Sequence, residues 1–258
     1  MYPYELFLGL GLYEIFMVLG FFLALLYFRF LADRIGLGAK LQNLVIVCAL
    51  AALFGGYGCS VLTQAVYNAL ESGHFEITQS TGATFYGGLV GGTAVFLLVY
   101  FVAGHVWLGK GEPRRYLGQV TEIAAGSITV AHAFGRLGCL CAGCCHGRVT
   151  DAWYGIYHVY LQQKVIPVQL FEAIFLLALC AFLTWRFFKG KKGNLALYLM
   201  LYAVWRFFIE YLRADDRGAT IVSFLSPSQL TAIVLFAVGA GLFVWGMLRE
   251  RKHNSHGA

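Results

Sequence analysis

Seven apolar stretches run along the 258-residue chain, at roughly 6–28, 42–62, 84–103, 117–135, 166–188, 194–212 and 225–247. A helix needs about 20 apolar residues to cross a bilayer. The pattern therefore predicts an all-α polytopic membrane protein with seven transmembrane helices. The polar positions between the stretches alternate in charge. One set of loops carries Arg29, Arg34 and Lys40, then Lys110, Arg114 and Arg115, then Lys189, Lys191 and Lys192, then Arg249, Arg251 and Lys252. The other set comprises the N-terminus and loops 63–83, 136–165 and 213–224, and loop 63–83 holds no Lys or Arg. Basic loops stay in the cytoplasm. That rule puts the N-terminus outside and the C-terminus in the cytoplasm, with Arg251–Ala258 a short solvated tail.

Composition agrees. The chain is 59% hydrophobic and 12% charged, with mean hydropathy +0.70, whereas soluble domains carry about 25% charged residues. One integral-membrane domain over 1–258 accounts for the length, with no room for a separate soluble domain. No cleavable signal peptide is expected, because the first apolar run is long enough to span. The net charge of +6 is scattered over loops. Topology explains it, and no nucleic acid is implied.

Two stretches differ from the rest. Segment 117–135 places Thr121, Glu122, Ser127, Thr129 and His132 among small residues, which predicts a central, protein-packed helix. Segment 84–92 sets paired glycines, among them Gly87 and Gly88, beside Tyr86. Such glycines serve tight packing or a close ligand approach.

Charge inside the apolar stretches is the chemical signal. Arg136 ends one stretch, and Arg206, Glu210 and Arg213, spaced by four and three, share one helical face in or at the end of another. An arginine at the bilayer centre costs about 2.5–3.5 kcal/mol, so these residues pair or serve a charged substrate. His132 and Arg136 share a face, as do Gln169 and Glu172. With Tyr86, Gly87 and Gly88, these clusters fall at the outer end of the predicted spans. A guanidinium fork matches two phosphate oxygens, which points to a phospholipid headgroup. The bland alternative is an Arg206–Glu210 ion pair that only holds helices together.

Seven cysteines divide into two groups. Cys48, Cys59 and Cys180 lie singly in apolar stretches and are expected to pack. Cys139, Cys141, Cys144 and Cys145 cluster, with His146 adjacent. Three readings stay open: a metal site, although no second pair occurs elsewhere; a disulfide such as Cys139–Cys144 or Cys141–Cys145; or reduced packing or reactive thiols. The site assignment carries no metal and no cofactor.

The chain resembles the bacterial phosphatidylglycerol–prolipoprotein diacylglyceryl transferases. The resemblance rests on Gly135-Arg136-Leu137-Gly138, Phe85-Tyr86-Gly87-Gly88-Leu89, Pro167-Val-Gln169-Leu-Phe-Glu172, Arg206-Phe-Phe-Ile-Glu210-Tyr-Leu-Arg213 and Leu225-Ser226-Pro-Ser-Gln229. Tyr13 falls where that family carries the tyrosine of a Trp-Tyr-Gly triplet. The resemblance implies transfer of a diacylglyceryl group from phosphatidylglycerol to the lipobox cysteine of a preprolipoprotein, in a bacterial cytoplasmic (inner) membrane. It implies Arg136 and Arg213 as phosphate ligands, with Arg206–Glu210 orienting them or contacting lipid. Tyr86, His132 and Glu172 would handle protons or hydrogen-bond, and Tyr13, Gln169, Gly87 and Gly88 would line the lipid site. The chain departs from the family pattern at Tyr86, where many members carry His. It departs again at Cys139, in place of Asn, and near Cys144, where an acidic residue is common. Three other functions compete: a phospholipid-modifying transferase with a different acceptor, a transporter of an anionic solute, and a redox protein using the thiols. The absence of repeats and of broken-helix pairs argues against transport.

Overall fold

A computed structural model describes every residue except 2, 3, 8, 79, 215–223 and 256–258, and among the described residues seven helices are long and apolar enough to cross a membrane. The order is β1 (Glu5–Phe7), β2 (Leu10–Gly11), α1 (Leu12–Arg34), α2 (Ala39–Ser72), α3 (Phe85–Trp107), α4 (Glu112–Ala142), β3 (Ile156–His158), β4 (Gln163–Val165), α5 (Val168–Phe188), α6 (Asn194–Ile209) and α7 (Pro227–Ser255). A single 3-10 turn, Glu210–Leu212, follows α6. The antiparallel hairpins β1–β2 and β3–β4 are additions to the all-α expectation. The chain divides into two compact units, one of residues 1–28 with 121–258, the other of residues 29–120.

The smaller unit is built on the α2–α3 helical hairpin. A Cβ on Gly91 would lie 2.2 Å from Cys59 Cβ, and one on Gly56 would lie 3.1 Å from Gly92 Cα. Glycine is required there because the two backbones nearly touch. Gly87 likewise faces Thr63, where a Cβ would lie 2.4 Å from Oγ1. The paired glycines are thus used in packing. Ser60 Oγ donates to the Thr84 carbonyl at 2.6 Å, and Thr84 N donates back to Ser60 O at 3.2 Å, pinning the start of α3. Helix α2 runs well past its predicted end at 62. Gln64 Nε2 donates to Asn68 Oδ1, and Ser72 Oγ donates to Asn68 O, so polar side chains carry the helix beyond its apolar run. Gly73, at φ 76°, ends it in the left-handed conformation.

In the larger unit, α4 is flanked by α1, α5 and α6, as its small and polar residues predict. A Cβ on Gly126 would lie 2.6 Å from the Tyr27 hydroxyl, and one on Gly20 would lie 2.6 Å from Phe134 Cβ, so α1 and α4 meet over glycines. Glu122 accepts from the backbone N of Gly193 (2.7 Å) and Asn194 (2.9 Å). This α4 carboxylate caps α6, satisfying two donors a helix start leaves open. Ala125, Ala133, Leu176, Leu179, Leu183, Tyr198 and Tyr202 form the shared core.

Two boundaries shift the sequence expectation for the charged residues. Helix α4 continues to Ala142, so Arg136, Cys139 and Cys141 are helical and Arg136 does not end the segment. Arg213 is not on the α6 helix. It is extended (φ −81°, ψ 155°) and bridged to Gly147, because the chain there joins the loop after α4. Helix α7 also reaches Ser255, into the region expected to be a solvated tail.

Candidate functional site

The last turns of α4, the first turn of α5, the last turn of α6 and the start of α7 bring the candidate residues of the larger unit together. Arg136 Nε lies 3.0 Å from Glu172 Oε2. Glu172 Oε1 accepts from the Tyr202 hydroxyl at 2.7 Å. His132, one turn before Arg136, places Nδ1 3.1 Å from the Tyr198 hydroxyl and packs edge-on against the Tyr202 ring, with centroids 4.6 Å apart. The shared faces read from spacing therefore hold: His132 with Arg136 on α4, and Gln169 with Glu172 on α5, both of the latter fully buried.

A second ionic group adjoins α7. Arg206 Nη2 lies 2.8 Å from Glu210 Oε2 and donates to Ser228 Oγ at 2.8 Å. Arg213 Nε lies 3.7 Å from the same carboxylate oxygen. The remaining oxygen, Glu210 Oε1, accepts from Ser226 Oγ at 2.9 Å. Ser226 also caps α7. Its Oγ accepts from Gln229 N (3.2 Å), and Gln229 Oε1 accepts from Ser226 N (3.0 Å). This reciprocal capping box, with Pro227 at the first helical position, is what Ser-Pro-Ser-Gln encodes. One serine hydroxyl thus couples a helix start to a buried ion pair.

The loop after α4 supplies the rest. Gly147 N donates to Ile166 O, Arg148 N donates to Leu212 O, and Ile166 N donates to Arg148 O, each at 2.9 Å. The loop is wedged between the entry to α5 and the exit of α6. A Cβ on Gly147 would lie 2.7 Å from Leu212 O and 2.8 Å from Ile166 O, so glycine is required by that approach. Gln169 Nε2 donates to Cys144 O at 2.6 Å, tying α5 to the thiol loop. Cys145 sits at φ 63°, unusual for a residue with a side chain. The sulfurs of Cys139, Cys144 and Cys145 lie within 4.8 Å of one another, and all seven cysteines are free thiols. Cys141 is outside that trio. The Cys145 thiol is held below the usual thiol range by hydrogen bonds with Cys139 and Cys144, and further by the Arg213 guanidinium. Cys144 is pushed upward by the same bonds with Cys139 and Cys145.

Tyr13 packs on the same end of α4. A Cβ on Gly138 would lie 3.3 Å from Tyr13 Cδ2. Tyr86, Gly87 and Gly88 belong to the smaller unit. Spacing could have singled out Tyr198 and Tyr202 as well: Tyr198, Tyr202, Arg206 and Glu210 recur every four residues, one polar ridge on an apolar helix. Ser228 had no signal of its own.

Among the described residues, the Arg136, Arg206 and Arg213 guanidiniums lie beside the Glu172 and Glu210 carboxylates. Arg206 Nη1 is buried with no hydrogen-bond partner among the described residues. Arg136 is the most open of the three, with 16% of its side chain exposed against 7% for Arg206 and 3% for Arg213.

Comparison with known proteins shows the family. A family model described as prolipoprotein diacylglyceryl transferase matches residues 4–245. A phosphatidylglycerol–prolipoprotein diacylglyceryl transferase of Dehalococcoides mccartyi is 31% identical over 242 residues, covering 85% of this chain and 84% of its own. The second such transferase of Clostridium perfringens is 30% identical over 220 residues, covering 83% and 81%. That of Clostridium tetani is 29% identical over 221 residues, covering 81% of each. The match spans every helix that builds the site, and the chain belongs to the prolipoprotein diacylglyceryl transferase family.

Proposed function

We propose that this chain transfers a diacylglyceryl group from phosphatidylglycerol to the lipobox cysteine thiol of a preprolipoprotein. The observation that carries the reading is the convergence of Arg136, Arg206 and Arg213 at one end of the bundle, with Arg206 Nη1 buried and lacking a hydrogen-bond partner among the described residues and Arg136 partly open. A phosphate oxygen supplies the acceptor that Arg206 Nη1 lacks. The acceptor sulfur attacks an sp3 carbon of the diacylglyceryl group. A C–S bond forms, the C–O bond to phosphate breaks, and glycerol phosphate leaves as the thiol gives up its proton. Charge grows on the leaving phosphate, and preorganised guanidiniums stabilise it where water is excluded.

In this reading Arg136 grips the phosphate, with Arg213 beneath it. Glu172 and Tyr202 hold Arg136 in place, and Glu210 and Ser228 hold Arg206. His132, fixed by Tyr198, is a hydrogen-bonding residue beside the reacting groups. Gln169 sets the thiol loop, and Tyr13 contacts lipid. The domain is a single transferase unit of the bacterial cytoplasmic membrane. Its site lies at the outer end of the helices, because the basic loops occupy the opposite ends. Purified chain supplied with labelled phosphatidylglycerol and a lipobox peptide is expected to yield a thioether-linked peptide. Arg136→Ala should lower kcat by about 10²–10³, the cost of one transition-state donor. An intact, folded chain that makes no thioether sinks the reading, and full activity in Arg136→Ala sinks the site.

A further inference from the structure

A thiol acceptor must become a thiolate before it attacks carbon. Among the described residues, the carboxylates near the arginines are committed elsewhere. Glu172 is held by Arg136 and Tyr202, and Glu210 by Arg206, Arg213 and Ser226. His132 Nδ1 meets Tyr198. The same end of the bundle holds three reduced thiols, Cys139 from the last turn of α4 and Cys144 and Cys145 from the loop, whose sulfurs lie within 4.8 Å of one another.

We propose that Cys139, Cys144 and Cys145 form a three-thiolate zinc site whose open fourth position takes the acceptor cysteine; this rests on the transferase reading above. With Zn–S bonds of about 2.3 Å, three tetrahedral thiolates stand about 3.8 Å apart, so the cluster closes on the ion by about 1 Å at most. Among the described residues, no fourth protein ligand stands ready. His158 Nε2 bonds Gly143 O at 2.8 Å and its Nδ1 accepts from Leu161 N at 3.2 Å, while His146 Nδ1 is turned to Gly147 O at 2.9 Å. Three protein ligands and one open position are the pattern of a catalytic zinc site. The complex carries one net negative charge, and Arg213, hydrogen-bonded to Cys145, stands beside it.

The step balances without an oxidant. The incoming thiol binds zinc and releases its proton to water, since a coordinated thiol is deprotonated. The thiolate then attacks the carbon, the C–O bond breaks, and glycerol phosphate leaves toward the arginines. The product sulfur is a neutral thioether, a weaker ligand for zinc, and it dissociates.

The test uses full-length chain purified under reducing conditions and loaded with Zn²⁺ or Co²⁺. One equivalent of metal is expected, with a thiolate-to-cobalt charge-transfer band. Cys139→Ser, Cys144→Ser and Cys145→Ser each lose the band and the stoichiometric metal, and Cys141→Ser keeps both. A lipobox peptide shifts the cobalt spectrum, and the same peptide with serine for cysteine does not. Metal at the background level of the triple serine variant, or a spectrum unmoved by the cysteine peptide, overturns the proposal. So does a metal-free disulfide among the three cysteines. A metal-stripped chain that still forms thioether at full rate removes the zinc site and leaves the transferase reading standing. A chain that binds metal and peptide but never consumes phosphatidylglycerol removes the transferase reading instead.

Discussion

Replacing Glu172 by leucine tests whether the Arg136 ion pair positions a ligand-binding cation or merely packs helices. Glu172 is fully buried, 3.0 Å from Arg136 Nε and 2.7 Å from the Tyr202 hydroxyl. Glu172→Leu leaves a mostly buried guanidinium without its counter-ion, which costs about 3–5 kcal/mol. The lower end applies because Arg136 keeps 16% of its side chain exposed and water reaches it. Arg136→Met strands the carboxylate instead, at a similar or greater cost, since Glu172 has no exposure. The double variant removes both charges and leaves only the Tyr202 hydroxyl without an acceptor, a penalty of about 1–3 kcal/mol. Thermal unfolding in detergent reads all three. At about 2–4 °C per kcal/mol for a chain near this size, the singles melt roughly 6–20 °C low, and the double regains much of the loss. Transferase activity separates the roles, since the double variant regains stability and stays inactive. Singles within about 1 kcal/mol of the parent, or a double no more stable than either single, would refute the reasoning.

Three further outcomes follow from packing, capping and topology. Gly91→Ala forces a Cβ to within 2.2 Å of Cys59 Cβ and should destabilise by about 1–3 kcal/mol. Gly58→Ala, with nothing within 4 Å, should stabilise by about 0.5–1 kcal/mol through helix propensity; equal unfolding temperatures for the two would count against the close α2–α3 approach. Ser226→Ala removes the α7 cap and a Glu210 hydrogen bond together, so a loss of about 1–2 kcal/mol is expected; a change in melting below a few tenths of a kcal/mol would dismiss that coupling. Single-cysteine labelling with a membrane-impermeant reagent should reach a probe placed at Gly73 from outside and one at Lys191 only after lysis, and the reverse pattern would invert the topology.

Periodicity and charge went far here because a bilayer imposes a harsh constraint. Apolar length sets the number of spans, and the cost of buried charge forces Arg136, Arg206, Glu210 and Arg213 to have a purpose. Spacing was enough to pair His132 with Arg136, and Gln169 with Glu172, because a helix places residues three and four apart on one face. It was also enough to anticipate the Arg206–Glu210 pair, found at 2.8 Å. Helix ends were less legible. Apolar runs mark where lipid stops, whereas Gln64, Asn68 and Ser72 extend α2 through hydrogen bonds beyond the run.

The sequence by itself determined the seven helices, the residues that carry charge into them, and the family to which the motifs belong. Tertiary structure decided the partners. Glu172 serves Arg136 and Tyr202 because α5 and α6 flank α4 over its small residues. Arg213 joins Glu210 from a bridged, extended segment, not from the helix its spacing suggested. The four clustered cysteines resolve into a trio with Cys141 apart, because Cys145 adopts a left-handed turn that brings its sulfur back to Cys139. Spacing along a chain reports neighbours within one helix; contacts between helices and loops depend on which backbones can approach, and glycines at Gly126, Gly138 and Gly147 settle that only once the fold has formed.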